Sequence, residues 1–187
     1  MSPLATVLIL VGMLVGAYVA LRPLVRTYRT YRGTRVITCP ETGRPAAVEV
    51  DARLAVTTQA SMGAPMVQLA SCSRWPQRRA CGQECLGQIE AAPHDCLART
   101  ILERWYAGKQ CALCARPFGD IHWADHKPAA RLATGQTIQW ADIRPAELPI
   151  VLADSLPVCW SCHIAETFRR QHPDLVVDDP PARPHAG

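Results

Sequence analysis

The chain is short of lysine, with only Lys109 and Lys127, and of phenylalanine, with only two. From Met1 to Leu21 it has no charged side chain at all. The first scarcity leaves arginine to supply nearly all positive charge, and five arginines lie between Arg22 and Arg35. Residues 36–187 then carry 15 basic and 16 acidic groups. A soluble part so close to neutral lacks the electrostatic footprint of a nucleic-acid binder, so nucleic acid is not an expected partner. Two Phe among 187 residues imply a modest core. Yet 49% of the chain is apolar, which excludes a wholly disordered protein. No internal repeat is visible beyond two cysteine pairs.

The uncharged start is itself a signal. Leu4 to Leu21 is an 18-residue apolar run. As a helix it would cover roughly 27 Å, close to the hydrocarbon thickness of a bilayer. A cleaved signal peptide wants a positive start and small residues before the cut. Here no Lys or Arg precedes the run, and Tyr18 spoils a cut after Ala20. Residues 1–21 therefore read as a transmembrane anchor. Arg22, Arg26, Arg29, Arg32 and Arg35, with Tyr28 and Tyr31 between them, form a basic juxtamembrane segment over 22–35. Arginine-rich flanks stay inside, which predicts a cell-membrane, single-pass protein with its N-terminus outside and the remainder cytoplasmic. The segment reads first as a topology signal; contact with anionic lipid is the second reading. Gly12 and Gly16 have the spacing that lets two membrane helices approach, a route to a homodimer.

After the anchor, residues 36–71 read as extended chain, with strands at Ala46–Val50 and Met66–Ala70 set off by Gly43, Pro45, Gly63 and Pro65. Cys85–Glu90 reads as a helical turn. Asp95 stands where an N-cap belongs, and Leu97, Ile101, Leu102 and Trp105 share the face of a helix that Gly108 closes. Pro145–Ala153 and Cys162–Gln171 read as further helices, and 172–187 as a Pro-rich disordered tail. The fold class is α+β: one N-terminal membrane helix, then a small metal-stabilised, cysteine-rich domain over 36–171. Its first cysteine cluster spans 36–96, and a second half spans 97–171.

The expectation of a metal rests on nine cysteines. Cys111 and Cys114 are separated by two residues, as are Cys159 and Cys162, the usual way to place four thiolates around one Zn²⁺. Cytoplasmic placement disfavours disulfides. An iron-sulfur cluster would use the same four ligands. Because His163 follows Cys162, the run Cys159, Cys162, His163 also spells a haem c attachment site, so a membrane-anchored c-type cytochrome or iron-sulfur electron carrier is an alternative. A second zinc site can be drawn from Cys39, Cys72, Cys81 and Cys85. Cys81 and Cys85 have helical i, i+4 spacing, and Cys39 and Cys72 lie at strand ends; Cys96 or His94 are substitutes for Cys39. Reactive or buried thiols at Cys81, Cys85 or Cys96 are the competing reading.

Between the pairs lie Asp125 and His126. Taken with Cys111, Cys114, Cys159, Cys162 and His163, they make residues 111–163 resemble the zinc-bound HNH family of treble-clef folds. The resemblance implies a treble-clef-like C-terminal half in which the four Cys hold a structural zinc. It also implies that Asp125 helps bind a catalytic metal and that His126 is the general base for phosphodiester hydrolysis. The family's middle Asn has no counterpart, because the chain contains no Asn; Asp142 and Asp154 lie in the interval where a substitute would stand. Fold and function part company here. A degenerate nuclease is therefore an alternative, and the leading expectation is a non-catalytic binding or scaffold module with an unknown protein partner. His122 and His126 are i, i+4 neighbours, but Gly119 and Pro128 argue for a loop. The five Trp are expected to wall a small core.

Overall fold

A computed structural model describes residues 3–75, 77 and 80–175. Within it the chain forms two compact units, Met1–Leu102 with Pro145–Leu148, and Glu103–Arg144 with Pro149–Gly187. The tail expected over 172–187 falls outside the described residues from 176 on.

The first unit opens with α1, Pro3–Tyr31. Its Thr6–Tyr31 stretch is long and apolar enough to cross a membrane, and the apolar window is not buried against the rest of the protein. Leu8 and Leu14 are 65% and 71% exposed, the opposite of a core helix. The basic residues Arg22, Arg26 and Arg29 continue the same helix, which passes through Pro23 without breaking. Only near its end does α1 bury a face, at Leu24, Thr27 and Tyr31.

Arg35 ends this helix. Its guanidinium donates to the carbonyls of Tyr31 at 2.8 Å, Gly33 at 2.9 Å and Thr30, covering C-terminal oxygens that the helix cannot pair itself. The side chain is completely buried, and that burial pulls its pKa below the ordinary range.

The sheet that follows is antiparallel, in the order β1 (Thr34–Thr38), β2 (Pro45–Val50), β3 (Leu69–Cys72). In β2, Ala46, Val48 and Val50 face inward while Glu49 is exposed, the period-two pattern of a half-buried strand. They pack with Ile37, Leu69, Cys85 and Ile89, the last from the helix α3, Leu86–Ala91. Full burial of Val48 and Ile89 contributes about 2 kcal/mol each.

The extended reading of 36–71 needs correction, because Ala52–Met62 is a helix, α2. Asp51 caps it by accepting from the backbone N–H groups of Arg53 and Leu54 at 3.0 and 2.9 Å, and Gly63, at φ +77°, closes it. A second correction concerns Asp95: α4 runs Ala98–Tyr106, beginning beyond the expected cap, and Leu97 bridges to Arg35 instead.

The second unit is built on a smaller antiparallel sheet, order β5-β4-β6, from β4 (Ala129–Arg131), β5 (Thr137–Gln139) and β6 (Leu156–Val158). The helix α5, Leu148–Asp154, leads into β6, and α6, Trp160–Gln171, follows it. The core is aromatic. Tyr106, 1% exposed, donates its hydroxyl to Ala129 O at 2.6 Å and accepts from Trp140 Nε1 at 2.8 Å. Trp105 stands edge-on to both rings, at 4.8 Å from Tyr106 and 5.5 Å from Trp140, and Phe118 lies 4.7 Å from Tyr106. Three-residue strands are too short to hold by themselves. What fixes them is this aromatic cluster and the cysteine site.

Candidate metal centre

The second unit brings both cysteine pairs to one point. Gln110 and Pro117 form an antiparallel bridge, and Phe118 N–H donates to Lys109 O at 3.1 Å, so Cys111–Cys114 occupies the tip of a tight loop. Ala115 adopts φ +57°, a left-handed conformation unusual for a residue with a Cβ. Its N–H donates to Cys111 O at 2.9 Å, closing the knuckle behind the two sulfurs. The other pair arrives from β6 and the start of α6. Ala112 N–H donates to Pro157 O at 2.9 Å, tying knuckle to strand, and Cys159 is the N-cap of α6 with Cys162 in its first turn.

The four sulfurs lie within 4.8 Å of one another. The Cys114 and Cys159 sulfurs are 3.8 Å apart. Four thiolates at tetrahedral corners, each about 2.3 Å from one ion, have edges of about 3.8 Å. A disulfide would need about 2.05 Å, and all nine cysteines are free. The cluster thus has the donor set and spacing to hold a metal ion.

Its electrostatics have the same sense. Burial alone would raise the Cys111 thiol, but N–H groups of Cys159, Cys114 and Leu113 aimed at its sulfur outweigh burial and hold it at about 6. The Cys159 N–H contact is 3.3 Å. Cys159 is pushed up by burial, and Cys162 further, by burial and by its three sulfur neighbours. One thiol ionises readily while its neighbours resist, because adjacent negative charges repel. A divalent cation among them relieves that repulsion.

Other candidate residues are placed differently. His163 is buried, with Nδ1 2.9 Å from Thr137 Oγ1, and burial lowers its pKa. Asp125 and His126 sit on an exposed loop, where His126 N–H donates to Asp125 Oδ1 at 2.9 Å and the ring nitrogen lies 3.4 Å from Oδ2. The cleft containing His126 is also lined by His122 and Asp120, and by neither Asp142 nor Asp154. Residues 119–128 are not helical, so His122 and His126 do not share a helix face. Spacing picked out the four cysteines that cluster but missed what orients them. Ala115 gives no hint of a left-handed position, since such positions usually announce themselves as Gly, and the Ala112–Pro157 and Thr137–His163 contacts have no local signature.

In the first unit, Cys39 follows β1, Cys72 ends β3, and Cys85 caps α3. Cys81 and Cys85 are not on one helix face, which corrects the i, i+4 reading: Gln83, at φ +57°, breaks the chain between them. Among the described residues, the set 111, 114, 159 and 162 is the one group of three or more His, Cys, Asp or Glu donors packed within 4.8 Å. Cys96 hydrogen-bonds toward Ala92 O at 3.5 Å, and burial raises its thiol against the opposing pull of Arg35. A raised thiol is a poor nucleophile. No family model, no curated protein and no solved structure matches the chain.

Proposed function

We propose that this chain is a single-pass membrane protein whose Cys111, Cys114, Cys159 and Cys162 hold a structural zinc ion, and that the folded part is a binding or scaffold module with no catalytic role. The observation that carries the reading is the 3.8 Å approach of Cys114 and Cys159 within a four-sulfur group. That distance suits thiolates sharing one ion; thiolates on separate irons of a cluster would stand farther apart. The order of parts supports a treble-clef arrangement: a knuckle with two ligands, the β4–β5 hairpin, then a helix whose first turn brings the other two.

Against haem attachment stands the engagement of Cys159 and Cys162 with the other pair, and of His163 with Thr137. Against hydrolysis stands the exposure of the Asp125–His126 pair, which among the described residues belongs to no close-packed group of three or more donors. A binding role draws support from α6, where Ile164 and Phe168, one turn apart, are 43% and 47% exposed. Anchoring by α1 with the units in the cytoplasm rests on its apolar length and on the arginines that follow it.

Metal analysis of the detergent-purified chain tests the reading. Zinc is expected, with no visible absorption band. Stripping it with a strong chelator abolishes the near-ultraviolet dichroism of Trp105 and Trp140, since structural zinc contributes about 10 kcal/mol or more to a small fold. Near-ultraviolet signals are the readout because α1 keeps its helical signal regardless. Intact aromatic dichroism after complete metal loss, or a haem band, overturns the proposal.

A further inference from the structure

We propose that Cys39, Cys72, Cys81 and Cys85 form a second four-thiolate site, in the first unit, which binds one zinc ion. The inference goes beyond the function above and stands without it, because it uses none of the same residues.

Three separate stretches of chain bring these cysteines to the wall of one cavity of about 20 Å³. That volume takes roughly one water-sized occupant, which suits a single ion and excludes a haem or any organic cofactor. The rest of the wall includes the apolar Ile37, Leu69 and Trp75 and the polar Glu41, Thr42 and Glu84. Neither Cys96 nor His94 lines it, which selects Cys39 as the fourth ligand.

The sulfurs are also furnished with hydrogen-bond donors. Arg74 N–H points at Cys72 Sγ at 3.5 Å, and Gln83 N–H at Cys81 Sγ at 3.4 Å. The Thr42 hydroxyl and the N–H groups of Thr42 and Glu41 are directed at Cys39. Backbone N–H groups so placed can hydrogen-bond a metal-held sulfur without leaving their own turn. Backbone conformation gives an independent mark. The described residues include two non-glycines at positive φ, Ala115 and Gln83, both at +57°. One follows a cysteine of the first site directly; the other lies between Cys81 and Cys85. A left-handed residue with a Cβ is strained and persists where its surroundings require it.

The four sulfurs stand less tightly together than those of the first site. Binding therefore draws in side chains that already face a shared cavity: each thiol gives its proton to solvent as its sulfur bonds to the ion.

The test uses the full chain in detergent, stripped of metal under reducing conditions and titrated with Zn²⁺ or Co²⁺ alone. Saturation at two ions per chain is expected. Cys81→Ser with Cys85→Ser lowers it to one and halves the sulfur-to-cobalt absorption; Cys159→Ser also lowers it to one; Cys96→Ser leaves two. Wild-type saturation at one ion, lost in Cys159→Ser, overturns the second site and leaves the first. One ion that survives Cys159→Ser and is lost in the double variant has the opposite meaning. If the double variant fails to fold, wild-type stoichiometry still decides.

Discussion

At the residue scale, two buried polar side chains do work that their sequence positions conceal. Tyr106 joins a strand carbonyl to an indole N–H in the interior of the second unit. Tyr106→Phe removes the hydroxyl that serves both partners, so the expected loss is about 2 kcal/mol, measured by denaturant unfolding of the chain through tryptophan fluorescence. Arg35 covers three carbonyls with one planar fork. Arg35→Met uncovers them, at an expected cost of about 3 kcal/mol in the same measurement. Arg35→Lys restores only part, since an ammonium is a point charge that cannot span the same set of oxygens. Equal stability of wild type and Arg35→Met would show the cap to be incidental. Neither role was legible beforehand. In sequence Arg35 reads as the last of five juxtamembrane arginines, and the reason for its burial lies at the end of α1.

At the scale of elements, legibility followed the strength of local chemistry. The paired cysteine spacings marked the knuckle, while the helix expected from Cys162 begins two residues earlier, at Trp160, with Cys159 at its cap. The inward face of β2 was visible as alternation, and α1 as an unbroken apolar run. The helix α2 was missed because Ala52–Met62 has Thr57 and Thr58 at its centre and a weak apolar stripe; its signals were the bounding Asp51 and Gly63. Those caps have measurable weight. Asp51→Ala, which deletes an acceptor for two N–H groups, is expected to destabilise the first unit by about 1 kcal/mol, read as a lower urea midpoint at unchanged slope. The three-residue strands around the metal centre were invisible for a different cause: their pairing depends on Tyr106 and on the converging sulfurs, both supplied from far along the chain.

At the scale of the whole molecule, the arrangement replaces a large apolar core with points of convergence. Each unit gathers its cysteines from distant stretches, and each has only a small hydrophobic cluster around them. Orientation in the bilayer is open to direct measurement. The chain is expected to stay with membranes through alkaline carbonate washing, and its folded part to resist protease added to intact cells while being cut after lysis. Cleavage in intact cells would reverse the topology.

The uninterrupted run of α1 through Pro23 into the Arg35 cap has a mechanical consequence. The ten residues after Leu21 carry the helix on beyond the proposed membrane span by about 15 Å, and Arg35 in β1 holds the carbonyls at its end. Should that span turn in a bilayer, the Arg35 contacts are the link through which the turn reaches β1.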